Sequence, residues 1–312
     1  MSTAFIFPGQ GSQAAGMGRA LAEASTAARL VLEEVDDALG ERLSRLMFEG
    51  PDEELTLTRN AQPAIMAASL AALAVLEKEA GLRLGEVAAA VAGHSLGEYS
   101  ALAAARALPL ATTARLLRLR GEAMQAAVPP GEGAMAALLG LGYDAISAIA
   151  AEAAQGQVLA AANDNAPGQV VVSGHIEAVT RAMRLAKERG ARHSVLLPVS
   201  APFHCPLMAP AAEVMAQALA ETAIAPPVVP LWANVTAAPV MDPAVIRELL
   251  VKQVTGTVRW RETVEAMAAA GITRMVELGG KVLGPMVKRI APDVATHAVT
   301  RPEDVDALLK AL

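Results

Sequence analysis

The sequence predicts an α/β fold in two subdomains. A large one is formed by residues 1–127 and 199–312, and a small ferredoxin-like one, residues 128–198, is inserted into it. Three observations predict this. Short apolar runs alternate with helical patterns toward both ends of the chain. A breaker cluster, "VPPGEG" at 128–133, interrupts that alternation. Between it and residue 198 the patterns run strand–helix–strand–strand–helix–strand, the ferredoxin-like order.

The elements follow in turn. "AFIF" reads as a first strand and "PGQGSQ" as a glycine-rich turn. The turn lacks the spacing and the lysine of a phosphate loop and does not match G-x-G-x-x-G, so a turn whose N–H groups face a site is the more economical reading. "AQPAIMAASLAALAVLEKEAG" is interrupted by Ser69 and ends at Glu77. It falls short of the roughly 20 apolar residues that span a bilayer, which predicts a buried core helix. "AAAVA" is a second strand, and a helix follows Ser95. In the small unit "AMAALLGL", "QVLAAAN", "QVVVSG" and "HSVLLPV" read as strands, and "YDAISAIAAEAAQ" and "IEAVTRAMRLAKERG" as helices. The large unit resumes with "VVPLWANV", a helix around 243–254, and "RMVELGG".

Composition narrows the function. The 312 residues suffice for a sizeable core. Aromatics are 3%, the net charge is -6 and the pI is about 5.5, which argues against a nucleic-acid binder. The single cysteine, Cys205, excludes a disulfide framework within the chain and a Cys-rich zinc site. The N-terminus has no basic leader and does not read as a signal peptide. The expectation is a soluble cytoplasmic protein with neither a membrane nor a nucleic-acid partner.

Gly93-His94-Ser95-Leu96-Gly97 fits the G-x-S-x-G nucleophile elbow, which makes the large unit α/β-hydrolase-like. A sharp strand-to-helix turn forces the serine into a strained conformation, and its neighbours two residues away must be small. The helix N-terminus then offers N–H groups and partial positive charge to an oxyanion.

Such a serine needs a base. His94 adjoins it in the turn and is expected to point away, into packing or a hydrogen bond. His175 reads as a turn residue, and His193 and His297 as exposed. His204, in the proline-punctuated "PVSAPFHCPLM", is either the base or a structural loop histidine. Cys205 is the competing nucleophile, but neighbours in an extended segment point oppositely, so it reads as a buried inert thiol. Arg115, Arg118 and Arg120 do not share one helix face, and spacing does not choose among them.

"FIFPGQGSQ", "GHSLGEYSAL", "RLRGEAMQ", "GAMAALLGL", "NDNAPGQVVVSG", "PVSAPFHCPLM" and "ELGGKVLGPMVKRI" cover nearly the whole chain. In this order they resemble the malonyl-CoA:acyl carrier protein transacylase family. The resemblance implies that Ser95 is acylated and that His204 is its general base. It implies that the Gln253 backbone carbonyl orients the imidazole and that the N–H groups of Gln10 and Leu96 form the oxyanion hole. Arg120 would clamp the malonyl carboxylate. Phe203 would exclude an α-methyl branch, Met124 would contribute to substrate binding, and Asn163 would lie in a loop near the thioester entrance. Glu277-Leu278-Gly279-Gly280-Lys281-Val282-Leu283 is one residue shorter than the family's pattern and predicts a tightened loop. The implied substrates are malonyl-CoA and acyl carrier protein, with no metal and no cofactor, in a monomer. Residues 181–192 and Lys288-Arg289 are either a basic docking face for the acidic carrier or ordinary solvated surface. An esterase would carry its histidine near the C-terminus, and a non-enzymatic scaffold would have lost Ser95, His204 or Arg120.

Overall fold

Phe5 and Phe7 pack into one hydrophobic cluster and Ala4 and Ile6 into another, and all four are fully buried. Their strand is covered on both faces, which is why "AFIF" shows no polar alternation. The computed structural model describes residues 2–199 and 201–311. Its strands are β1 (Thr3–Phe7), β2 (Ala88–Gly93), β3 (Gly133–Leu139), β4 (Leu159–Ala166) and β5 (Gln169–His175). They continue with β6 (His193–Leu196), β7 (Leu231–Ala233), β8 (Ala238–Val240), β9 (Arg274–Leu278) and β10 (Ala295–Val299).

The large sheet has the order β10-β9-β1-β2-β7-β8. It is parallel except for the antiparallel β7–β8 pair at its edge. The small sheet, β4-β5-β3-β6, is antiparallel throughout. Helices Tyr143–Ala154 and Ile176–Glu188 pack on it around Ala134, Ala136, Leu138, Ile149 and Ala182. Met135 and Val171 belong instead to the core of the large unit. The α/β class with a ferredoxin-like insertion is therefore as expected. A parallel bridge between Asn163 and Val258 ties the two sheets' neighbourhoods together.

Helix Thr58–Lys78 is long and apolar enough to cross a membrane, but 89% of that window is buried inside the protein. Two expectations are corrected. His297 sits in β10, the edge strand paired with β9, and is partly buried and not exposed. His175 ends β5, where its Nδ1 accepts the Val158 N–H at 3.0 Å, so strand pairing and not a turn holds it.

Candidate active site

β2 ends at Gly93 and a helix begins at Gly97, so the chain turns within three residues. Ser95 takes φ 54°, the left-handed region that L-residues avoid by about 1–2 kcal/mol. A Cβ on Gly93 would lie 1.9 Å from the Gly97 carbonyl carbon, and one on Gly97 would lie 2.2 Å from the Phe7 oxygen. The glycines let the turn close on itself and on β1. Gly93→Ala is expected to lower the unfolding free energy by about 3 kcal/mol or more, the upper range for overpacking. Urea unfolding measures it, and a loss under about 1 kcal/mol would mean that the turn has room.

Pairing of β2 with β7 brings Asn234 to this turn. Its Oδ1 accepts the Ser95 N–H at 2.7 Å and its Nδ2 donates to the Gly93 carbonyl at 2.6 Å. Asn234 thus holds the N-terminal side of the strained serine, and Gln253 Nε2 donates to the Ser95 carbonyl on the other.

Ser95 Oγ is 2.7 Å from His204 Nε2, and His204 Nδ1 is 2.9 Å from the Gln253 carbonyl oxygen. A carbonyl only accepts, so Nδ1 carries the proton and Nε2 offers its lone pair to the hydroxyl. Gln253 lies in the last turn of helix Pro243–Thr255, where carbonyls lack intrahelical donors. A backbone group can therefore orient the imidazole, and the negative helix end favours the imidazolium when it forms.

Burial pushes His204 down to about 3, with the nearby Arg120 charge as the second cause. Because the folded value lies below the unfolded one, His204 contributes stability above about pH 6.5, lost as the pH falls toward that folded value. In histidine-labelled protein, NMR is expected to find His204 still neutral at about pH 5. A midpoint near 6.5, the value of a solvated histidine, would mean that water reaches the ring.

Helix Leu110–Ala126 separates the three arginines. Arg115 is exposed. Arg118 donates to Asn60 Oδ1 at 2.9 Å and pairs with Glu41. Arg120 is 1% exposed. Its Nη1 donates to Gln62 Oε1 at 2.8 Å, and its Nη2 to Gln253 Oε1 at 2.9 Å and Ser95 Oγ at 3.2 Å. Its Cζ lies 5.7 Å from the Tyr99 ring centroid. Every one of these acceptors is neutral, and Arg120 makes no ion pair among the described residues.

Gly9 abuts the elbow, where an added Cβ would be 2.7 Å from the His94 carbonyl oxygen. Gln10 follows at once. Among the described residues neither the Gln10 nor the Leu96 N–H has a protein acceptor. The arrangement has a serine hydroxyl within hydrogen-bond distance of an imidazole nitrogen, and a buried guanidinium at that hydroxyl.

The family described as "Acyl transferase domain" matches residues 4–280. A malonyl CoA-acyl carrier protein transacylase of Bacillus subtilis (strain 168) is 44% identical over 99% of this chain and 96% of its own length. The chain belongs to the malonyl-CoA:acyl carrier protein transacylase family.

The solved structures agree. The acyl-carrier-protein-S-malonyltransferase of Bartonella henselae superimposes with a TM-score of 0.97 at 52% identity, covering 100% of this chain and 99% of that one. A malonyl-transacylase solved with its type II PKS acyl-carrier protein superimposes with a TM-score of 0.96 at 40% identity, covering 100% of both chains. Family membership makes the chain an acyltransferase.

The other residues named from the sequence divide. Phe203 is buried next to His204, and Met124 Sδ is 3.6 Å from Gln62 Nε2, one helical turn beyond Arg120. Asn163 lies inside β4 and not in a loop, because the strand continues to Ala166 through register shifts. Asn165 reaches the elbow instead, with its Oδ1 2.8 Å from His94 Nε2. Cys205 is buried, and its Sγ donates to the Pro202 carbonyl at 3.1 Å. It avoids the site although the segment is not extended, since His204 takes φ 57°. The shortened loop wraps Glu277, whose carboxylate accepts the N–H groups of Val282, Leu283 and Gly284. Of the basic stretches, Arg181 bonds to the carbonyls of Ala153 and Ala154, Arg184 pairs with Glu188, and Lys288 donates to the Val294 carbonyl.

Sequence reasoning missed Gln62, Glu98, Asn234 and the side chain of Gln253. Gln62 is polar within the most apolar helix and Glu98 stands three residues past Ser95, so both carried a signal. Asn234 carried none. Glu98 is buried, which raises it to about 7, while bonds from Gln253 and Asn234 oppose the rise.

Proposed function

We propose that the chain transfers a malonyl group from malonyl-CoA to the phosphopantetheine thiol of acyl carrier protein through a malonyl ester on Ser95. The observation that carries this reading is Arg120, a buried guanidinium bonded only to neutral acceptors, with Nη2 3.2 Å from the nucleophile oxygen. A buried cation without an anion is costly. An acyl group that ends in a carboxylate completes the site, and an acetyl group does not. The names of the relatives and the solved carrier-protein complex support the same donor and acceptor.

His204 Nε2 takes the Ser95 proton as Oγ attacks the thioester carbonyl. The tetrahedral oxyanion is held by the N–H groups of Gln10 and Leu96 at the head of helix Gly97–Ala104. Collapse breaks the carbon–sulfur bond, and the imidazolium protonates the leaving CoA thiolate. In the second half-reaction His204 deprotonates the pantetheine thiol, the thiolate attacks the ester, and the proton returns to Ser95 Oγ. A malonyl carboxylate on Arg120 also cancels the charge that depresses His204, which raises the basicity of the imidazole when the correct substrate binds. Phe203 limits the space beside the base, and Met124 packs the acyl pocket.

No cofactor enters these steps. Among the described residues no group of three or more His, Cys, Asp or Glu side chains is placed to hold a metal ion. We assign residues 128–198 to the small subdomain, which contributes Asn165 beside the elbow. We further propose a cytoplasmic monomer that supplies fatty acid or polyketide chain extension without a nucleic-acid or membrane partner. The carrier would dock on Lys187, Arg192 and Arg289, which make no ion pair among the described residues.

Intact-protein mass spectrometry after mixing with a panel of acyl-CoAs tests the reading. Malonyl-CoA is expected to leave a base-labile adduct and acetyl-CoA little. An adduct from acetyl-CoA that matches or exceeds the malonyl one would overturn it.

A further inference from the structure

The Gln253 side chain lies between Arg120 and a buried carboxyl. Its Nε2 donates to the Ser95 carbonyl at 2.9 Å and to Glu98 Oε2 at 2.6 Å, and its Oε1 receives Arg120 Nη2 at 2.9 Å. Both amide hydrogens and the amide oxygen are thus engaged. A reversed amide would set NH2 against a guanidinium and oxygen against two oxygen acceptors. Glu98 and the Ser95 carbonyl, which can only accept, therefore decide together which end of Gln253 faces Arg120, and Glu98 is the member of the two that a side-chain substitution can remove. Glu98 is fixed in turn by the first turn of its helix and by the Asn234 N–H at 3.3 Å.

We propose that Glu98 and the Gln253 side chain are positioning residues that hold Arg120 in its carboxylate-accepting orientation and so set the preference for carboxylated acyl groups, an inference that rests on the malonyl-transfer reading above. The amide works as a spacer. It satisfies Nη2 with a neutral oxygen and keeps the guanidinium from pairing directly with Glu98. A direct pair would neutralise the cation that the substrate carboxylate needs. Gln253 thereby serves both halves of the site, its main-chain carbonyl orienting His204 and its side chain orienting Arg120. Loss of the carbonyl's service lowers activity toward every acyl group. Loss of the side chain's service lowers activity toward carboxylated ones more than toward acetyl, whatever the release of the Ser95 carbonyl costs both.

The test is the ratio of kcat/KM for malonyl-CoA to that for acetyl-CoA, with pantetheine as acceptor. A ratio taken on one preparation is independent of the folded fraction. Gln253→Leu, which keeps the carbonyl, is expected to lower the ratio about tenfold or more, the weight of a hydrogen bond to a charged group. Glu98→Ala should do the same, and Glu98→Gln, which keeps an acceptor, should retain most of the ratio. A ratio within about threefold of wild type in both Gln253→Leu and Glu98→Ala, below what such a bond is worth, would overturn the proposal. The failure of the parent reading looks different. Wild type would then show no malonyl preference, or Arg120→Ala would leave the ratio intact.

Discussion

Ser95→Ala is expected to carry no acyl group after mixing with malonyl-CoA, while the fold survives. The elbow leaves one hydroxyl 2.7 Å from an imidazole nitrogen, and alanine removes that oxygen without adding bulk. The positive φ of 54° is a cost that alanine also bears, so Asn234 must still hold the turn. Cys205 cannot substitute. Burial raises its thiol above the usual range, and the thiolate is the reactive form. Peptide mapping decides the matter. An adduct that persists in Ser95→Ala, or one that maps to Cys205, would move the nucleophile.

Arg120→Ala is expected to cut kcat/KM for malonyl-CoA by roughly 30- to 4,000-fold. Removing one partner of a buried, hydrogen-bonded charge pair costs about 2–5 kcal/mol, at 1.4 kcal/mol per decade. Acetyl-CoA brings no carboxylate and should lose nothing. Arg120→Lys should rescue partly, since an ammonium cannot offer two parallel bonds. The appropriate control is Arg115→Ala, because Arg115 is exposed. Arg118 is not a neutral control, since its bonds to Asn60 and Glu41 tie its helix to the surroundings. Equal losses for both acyl-CoAs in Arg120→Ala would show that the guanidinium serves the fold and not the carboxylate.

Much of the fold was legible because its signals are local. The Gly93 requirement is local, since its collisions are with Gly97 and Glu98, whereas Gly97 collides with the backbone of Phe7 and Pro8, so only the motif and not the neighbour could be read in place. The insertion was legible from "VPPGEG" and the strand–helix order, although only β4 and β5 pair as neighbours in sequence and β3 pairs with β5 and β6. Asn163 was misplaced because "NDNAPGQ" carries turn-forming residues throughout, and pairing with β5 overrides that preference up to Ala166. His297 was misplaced because nearness to the C-terminus was read as exposure, whereas its segment pairs with β9 as the edge strand of the large sheet.

The sequence by itself determined the tight turn at Ser95, the α/β class and the inserted unit, and through the family resemblance it named His204 and Arg120, which the fold brings to that serine. Only the tertiary structure decided which arginine is buried, which asparagine meets His94, and that the Gln253 side chain meets Arg120 while its carbonyl meets His204. The physical reason is range. A glycine's tolerance of a tight turn is a property of its own backbone and can be read in place. The direction of a guanidinium is set by acceptors 58 and 133 residues away in sequence, which only folding brings within 3 Å.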